Sequence, residues 1–154
     1  MIREMNLNDY EDVRILVKQI HELHLSNRPD IYNDGESFPK EYFKKVLNDA
    51  NNLNYVYVEN KKIVGALNAS LQHTNPLPII KPRTYYFIEN IVVDKNHRRK
   101  GIAKKLFSYL TLKAKENNID SIELNVWSFN TEAIKFYESM GMNIKNIRME
   151  TKSK

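Results

Sequence analysis

IVVDKNHRRKGIAKKL, residues 91–106, is the stretch whose reading decides the fold. An apolar, β-branched run ends at Val93. A polar turn carrying Arg98, Arg99 and Lys100 follows. Gly101 then opens a stretch in which Ala103, Leu106, Phe107, Leu110 and Ala114 form one stripe at helical spacing. A strand therefore runs through a basic turn into a helix. The first amides of such a helix lack carbonyl partners, and its dipole adds partial positive charge there. A glycine permits the turn and lets a phosphate approach the backbone, with counter-charge from the arginines and lysine. The stretch predicts an anion site. Neither GxxxxGK followed by Ser or Thr nor GxGxxG occurs, so nucleotide triphosphate and NAD readings lack their motifs.

Working outward, Thr84–Val93 (TYYFIENIVV) is the strongest strand signal in the chain, apolar on both faces as a covered central strand would be. Upstream, residues 1–5 read as a short strand, and Asn8 reads as an N-cap with Glu11 as its capping-box partner. Val13, Leu16, Val17, Ile20 and Leu23 recur at helical spacing. Pro29 and Asp34–Gly35 mark a break, and Pro39–Leu47 predicts a second helix. Asn54–Glu59 and Ile63–Leu71 predict paired strands joined at Asn60–Lys62, and His73–Pro82, with three prolines, predicts a loop. Downstream, Ser121–Trp127 predicts a strand. Asn130 caps a helix containing Ala133, Ile134, Tyr137 and Met140, closed by Gly141. Asn143–Thr151 predicts a last strand. The order βααβββαβαβ implies one α/β domain over residues 1–154, with a mixed sheet and helices on both faces.

Composition narrows the function. The 154 residues are 42% hydrophobic and 28% charged, which argues against a disordered chain. No cysteine is present, which excludes disulfides, thiolate zinc sites and a cysteine acyl-enzyme. The N-terminus has an acidic run where a signal peptide needs an apolar core, and no apolar run approaches a membrane span, so the protein reads as cytoplasmic. The net charge of +5 suits an anionic ligand. Its densest cluster is Lys95, His97, Arg98, Arg99, Lys100, Lys104 and Lys105. It lacks interleaved aromatics, which weakens a nucleic-acid reading; alone it would be a solvated basic face.

Two motifs carry a family resemblance. Arg98-Arg99-Lys100-Gly101-Ile102-Ala103 resembles the Arg/Gln-x-x-Gly-x-Gly/Ala signature of the GCN5-related N-acetyltransferase (GNAT) family. Asn130, Ala133, Phe136, Tyr137 and Gly141 match its Asn-x-x-Ala-x-x-Phe-Tyr-x-x-x-Gly-Phe, with Met142 in place of the terminal phenylalanine. The resemblance implies a mostly antiparallel six- to seven-stranded mixed sheet whose fourth and fifth strands, 84–93 and 121–127, splay apart. It implies acetyl-CoA as co-substrate, with the pantetheine arm bound along the strand edge like an added strand. By carry-over, the backbones of Ile91, Val92 and Val93 hold the acetyl and pantetheine groups. The Arg98–Lys104 turn, with Arg99, Lys100, Gly101, Ile102 and Ala103, holds the pyrophosphate, and Asn130, Ala133 and Tyr137 contact the coenzyme across the cleft.

The implied chemistry is acetyl transfer to an amine by direct attack in a ternary complex. Glu89 interrupts an apolar strand, where a carboxylate is costly to bury without purpose or partner. It is the candidate general base, acting through water, or else a structural buried glutamate. Tyr137 is the candidate acid for the leaving thiolate, or a core residue. The Ile91 amide would polarise the thioester carbonyl. His21 and His24 lie three apart but show no third ligand, so no metal is expected. The segment His21–Glu36 is a candidate acceptor wall, with Asp30, Asp34 and Glu36 as attractors of a cationic amine or as a solvated loop. Trp127 and Phe129 would line the cleft or cover the core. The short segment after Gly141 leaves little room for a peptide-binding hairpin, which favours a small-molecule amine over a protein N-terminus or lysine. A non-catalytic acyl-CoA-binding module is the alternative of a different class. A homodimer is an open option; neither nucleic acid nor membrane is an expected partner.

Overall fold

The structure, a computed structural model, describes residues 1–154. Five strands lie in chain order across one sheet: β1 (Ile2–Glu4), β2 (Asn52–Glu59), β3 (Lys62–His73), β4 (Thr84–Val93) and β5 (Ser121–Leu124). β1 to β4 pair antiparallel, and β4 pairs parallel with β5. Four helices cover the sheet: α1 (Tyr10–Asn27), α2 (Lys40–Asn48), α3 (Ile102–Glu116) and α4 (Thr131–Ser139).

Each face has its own core, as a sheet covered on both sides requires. On one face Val13, Leu16 and Val17 of α1 and Phe43 of α2 pack with Val56, Ile63, Ala66 and Val92. On the other, Ile102, Leu106, Phe107, Leu110 and Ala114 of α3 pack with Val64, Leu67, Tyr86 and Ile88, joined by Phe136, Tyr137 and Met140 of α4. Gly65 sets how closely α3 approaches. A Cβ there would lie 3.0 Å from Ile102 Cγ2 and 3.2 Å from Leu106 Cδ1. The glycine thus lets the first turn of α3 rest on the sheet.

The sheet has five strands rather than six or seven. The expected last strand, Asn143–Thr151, has no regular structure. Its two isoleucines do not share a face: Ile144 and Ile147 have opposite parity, and both, like Met149, are exposed. The segment is held instead by ion pairs of Lys145 with Glu123 (2.7 Å) and Glu150 with Arg28 (2.8 Å). β5 is also shorter than its β-forming run, ending at Leu124 rather than Trp127. At the N-terminus the capping box is Asn6 with Asp9 rather than Asn8 with Glu11, and it closes a single 3-10 turn before α1.

β4 departs from the uniformly covered strand that its composition suggested. Asn90 pairs with Asn68 but Ile88 pairs with Ala69, so Glu89 is the extra residue of a β-bulge. The bulge reverses the parity of the strand. Tyr86 and Ile88 face α3, yet Val92 faces α1, and Ile91 and Val93 take over the α3 face. Glu89 is consequently exposed rather than buried.

Candidate active site

The register of β4 determines which backbone groups are free. The Asp94 amide donates to the Val64 carbonyl at 2.9 Å, so Asp94 and, two residues back, Val92 turn their main-chain groups towards β3. Ile91 and Val93 therefore turn theirs the other way, towards β5. But β5 pairs only with Tyr85–Ile88 and then peels off. The N–H and C=O groups of Ile91 and Val93 face an open edge, and only a 3.4 Å bond from Arg98 Nε reaches the Val93 carbonyl. Val92 is placed differently, with its side chain buried against α1.

Immediately after this edge comes the anion cradle. Arg99 and Gly101 both adopt positive φ, 62° and 77°. The left-handed conformation at Gly101 favours glycine, and the space where its Cβ would point is open. The amides of Ile102, Ala103 and Lys104 precede the first α3 bond, Lys105 N to Gly101 O at 3.0 Å, so they are the unpartnered donors of the helix start. Arg98, Arg99, Lys100 and Lys104 are exposed around them, while Ile102 is buried and offers only its backbone. A shallow groove of about 510 Å³ continues from Gly101 past Lys104, Lys105 and Ser108 along α3.

The turn is fixed from behind by contacts that the sequence did not reveal. Gln19 of α1 donates to Asp94 Oδ1 at 2.9 Å and accepts from the Lys95 amide at 3.0 Å, and Asp94 Oδ2 meets His97 Nδ1 at 2.7 Å. The Gln19 hydrogen bond is the main reason the Asp94 carboxyl titrates below the ordinary carboxylate range; burial opposes it and His97 adds to it.

Glu89 and Tyr137 lie on opposite faces of the sheet. Glu89 accepts a 3.3 Å hydrogen bond from Ser70 Oγ, which in turn accepts one from Gln72 at 2.9 Å. It lines a pocket under α2 with Asn54, Asn68 and Asn90. Tyr137 packs against the α3-side cluster and lies edge-on to Phe136, with ring centroids 5.4 Å apart. Burial pushes its hydroxyl up to about 12, so it keeps its proton at neutral pH. Asn130 caps α4, its Oδ1 accepting from the Ala133 amide at 3.2 Å. The α4 C-terminus is closed by Gly141 N to Glu138 O and Met142 N to Tyr137 O, each 3.0 Å, a Schellman arrangement. Met142 packs against the same apolar cluster as Tyr137, so the position stays apolar with methionine in place of phenylalanine.

The segment after α1 meets the β5–α4 loop in an aromatic cluster. Trp127 Nε1 donates to the Tyr32 hydroxyl at 3.0 Å, His24 stacks on Tyr32 with centroids 5.3 Å apart, and Trp127 stacks on Phe129 at 5.9 Å. Arg28 lies 4.8 Å above Trp127 and pairs with both Asp30 and Glu150. Two expected attractors of a cationic amine are already engaged: Asp30 by Arg28, and Glu36 by Arg14 at 3.5 Å. Asp34 is exposed. No group of three His, Asp or Glu side chains assembles around His21 and His24.

The bulge, Asn68, Ser70 and Gln19 escaped sequence reasoning. The one available signal was the Glu89–Asn90 doublet, since two successive polar residues in an apolar strand break its alternation.

A splayed parallel pair beside a glycine-opened helix start defines a class of α/β protein built to hold an extended anionic ligand along a strand edge. The family model described as acetyltransferase (GNAT) family matches residues 17–142, and the chain belongs to that family. Streptothricin acetyltransferase A of Bacillus subtilis is 33% identical over 106 residues, 66% of this chain; the match spans only 59% of that relative's length. A mutant of the BH1408 protein of Bacillus halodurans has a solved structure with a TM-score of 0.96 at 31% identity, covering 99% of this chain and 98% of that one. An aminoglycoside N-acetyltransferase solved in complex with CoA shares the fold, with a TM-score of 0.73 at 18% identity over 100% of this chain and 99% of that one. No helix is long and apolar enough to cross a membrane.

Proposed function

We propose that the chain transfers an acetyl group from acetyl-CoA to a primary amine of a small molecule, by direct attack in a ternary complex. One observation carries the reading: the free main-chain edge at Ile91 and Val93 runs directly into the open cradle at Gly101. An extended pantetheine can add to the first, and a pyrophosphate can sit on the amides of Ile102, Ala103 and Lys104 in the second. Acetyl-CoA, when bound, supplies the activated acetyl thioester. The aminoglycoside N-acetyltransferase, solved in complex with CoA, supports both this choice of co-substrate and an amine acceptor.

The remaining chemistry falls to side chains. An alkylammonium has a pKa of about 10.4 and must lose a proton before it can attack. Glu89, exposed at the bulge and held by Ser70, takes that proton. The Ile91 amide donates to the carbonyl oxygen as negative charge develops there. Tyr137, on the other face, holds a proton for the departing thiolate. Acid and base thus belong to opposite faces of the sheet.

The test is calorimetry with acetyl-CoA on wild type and Gly101→Asp. The variant should stay folded, because its side chain points into open space, yet lose most of its affinity through bulk, negative charge and an unfavourable φ. Unchanged affinity would sink the assignment. Thiol release from acetyl-CoA against panels of alkylamines, polyamines, aminoglycosides and peptides then selects between the small-molecule reading and protein acetylation.

A further inference from the structure

The pocket beside Glu89 has an internal order of hydrogen bonds that leaves one group over. The Val46 carbonyl, near the end of α2, accepts from Asn52 Nδ2 at 3.0 Å and from Asn54 Nδ2 at 3.3 Å. This fixes the direction of the Asn54 amide, whose Oδ1 then accepts from Asn68 Nδ2 at 2.8 Å. The direction of the Asn68 amide is fixed in turn. Its Oδ1 is buried, without a partner, in a residue only 3% exposed. An unpaired buried acceptor of this kind is destabilising and rare in the absence of a ligand or water. Asn68 and the Glu89 carboxylate both belong to the lining of one small space, together with Asn52, Asn54 and Asn90. Phe38 and Val46 make its apolar walls, and the space measures about 70 Å³, several times what a single water needs.

An unpaired amide oxygen and a carboxylate, set among apolar walls, complement a group with N–H donors on an apolar stem. Glu89, the bulge residue in this lining, also lies two residues before Ile91, whose amide faces the strand edge. We propose that this pocket receives the ammonium end of the acceptor, and that Asn68 is its specificity-determining residue, selecting unbranched R–CH2–NH3⁺ groups over amines branched at the attached carbon. The choice of ligand rests on the acetyl-transfer reading. The geometry deepens that reading by favouring the end of an alkylamine chain over a peptide N-terminus, whose α-carbon carries two further substituents.

The experiment is NMR of the ¹⁵N-labelled protein, following asparagine side-chain amides during titration with n-butylammonium chloride and, separately, its isomer tert-butylammonium chloride. The two have the same charge and composition and differ only in branching. Saturable shifts at Asn54 and Asn68 with the straight isomer, and binding weaker by about tenfold or more with the branched one, are expected. Asn68→Leu, which removes the acceptor, should weaken n-butylammonium by about tenfold, the scale of a lost hydrogen bond to a charged group. Val46→Phe, which narrows the pocket without deleting a polar side chain, should do the same, with thermal melts checking that each variant folds. Equal response to the two isomers, or no saturable shift in wild type, overturns the proposal even if both variants unfold. Acetyl-CoA calorimetry on the same sample separates the two claims. Normal acetyl-CoA binding with a silent pocket removes the pocket alone, whereas absent acetyl-CoA binding removes the transfer reading.

Discussion

Glu89 shows how one residue's role depends on a feature its neighbours create. As a buried carboxylate in a regular strand it would be a stability problem; lifted out by the bulge and held by Ser70, it is an accessible proton acceptor. Glu89→Gln keeps the shape and can still accept from Ser70, so acetyl-CoA affinity and melting temperature should stay near wild type. Turnover should fall by about 10²–10⁴, the usual worth of a positioned acid–base group. The deficit should shrink as pH rises towards the amine's own pKa, because more acceptor then arrives deprotonated. Turnover against pH for both proteins, with a thermal melt, checks this; a pH-independent deficit tracking lost stability would return Glu89 to the scaffold. The structural settings of several candidate residues were legible because local chemistry fixes them. Gly101 is needed where φ is positive, Asn130 where a helix needs a cap, and Tyr137 on a helix stripe. Asn68 was not legible. A polar residue in a strand says nothing of itself, and its meaning comes from Asn54, fourteen positions away, and from the Val46 carbonyl across the pocket.

Elements were readable where one periodicity dominated and failed where pairing decided. α3 followed from its stripe and from the glycine before it, and Thr84–Val93 matched β4 at both ends. The last strand failed because β-propensity is only permission to pair, and Ile144 and Ile147 cannot bury a common face against a four-residue β5. The bulge failed because it is a property of two strands in register. The coupling of elements has a testable consequence at Gly65, where α3 rests on β3. Gly65→Ala asks Ile102 and Leu106 to give by a few tenths of an ångström, whereas Gly65→Val asks more than the packing allows. The valine variant should lose about 1–3 kcal/mol, the usual cost of overpacking, in denaturant titration. Because Ile102 begins the helix whose amides form the cradle, its acetyl-CoA affinity should fall as well, while the alanine variant stays close to wild type on both measures. A valine variant with full stability and affinity would show that α3 is not seated by this contact.

At the scale of the whole molecule, the first and second halves of the chain meet across the cleft through the aromatic cluster. Tyr32, from the loop after α1, accepts from Trp127 of the β5–α4 loop and carries His24 stacked on its ring. Burial is the main cause holding the His24 imidazole below its ordinary pKa, and the neighbouring His21 adds to it. The cluster therefore packs around a neutral ring. A group whose folded pKa lies below its unfolded value of about 6.5 contributes stability that is complete above that value, and the contribution is lost as pH falls through the lower folded value. The carboxylates with depressed pKa, Asp9, Asp30, Asp94 and Glu123, act in a separate window, since their contributions are complete above about 4 and fade below it. Between pH 8 and pH 5 a loss of stability should thus report the imidazole. Thermal melts across that range should show the melting temperature of wild type falling with pH, and His24→Phe, which keeps an aromatic face for Tyr32 and cannot take a proton, should flatten the curve. If both proteins fall in parallel, His24 is not the sensor and the joint between the halves does not depend on its charge. If only the wild type falls, mild acid loosens the contact that ties the α1 end of the cleft to the β5 end.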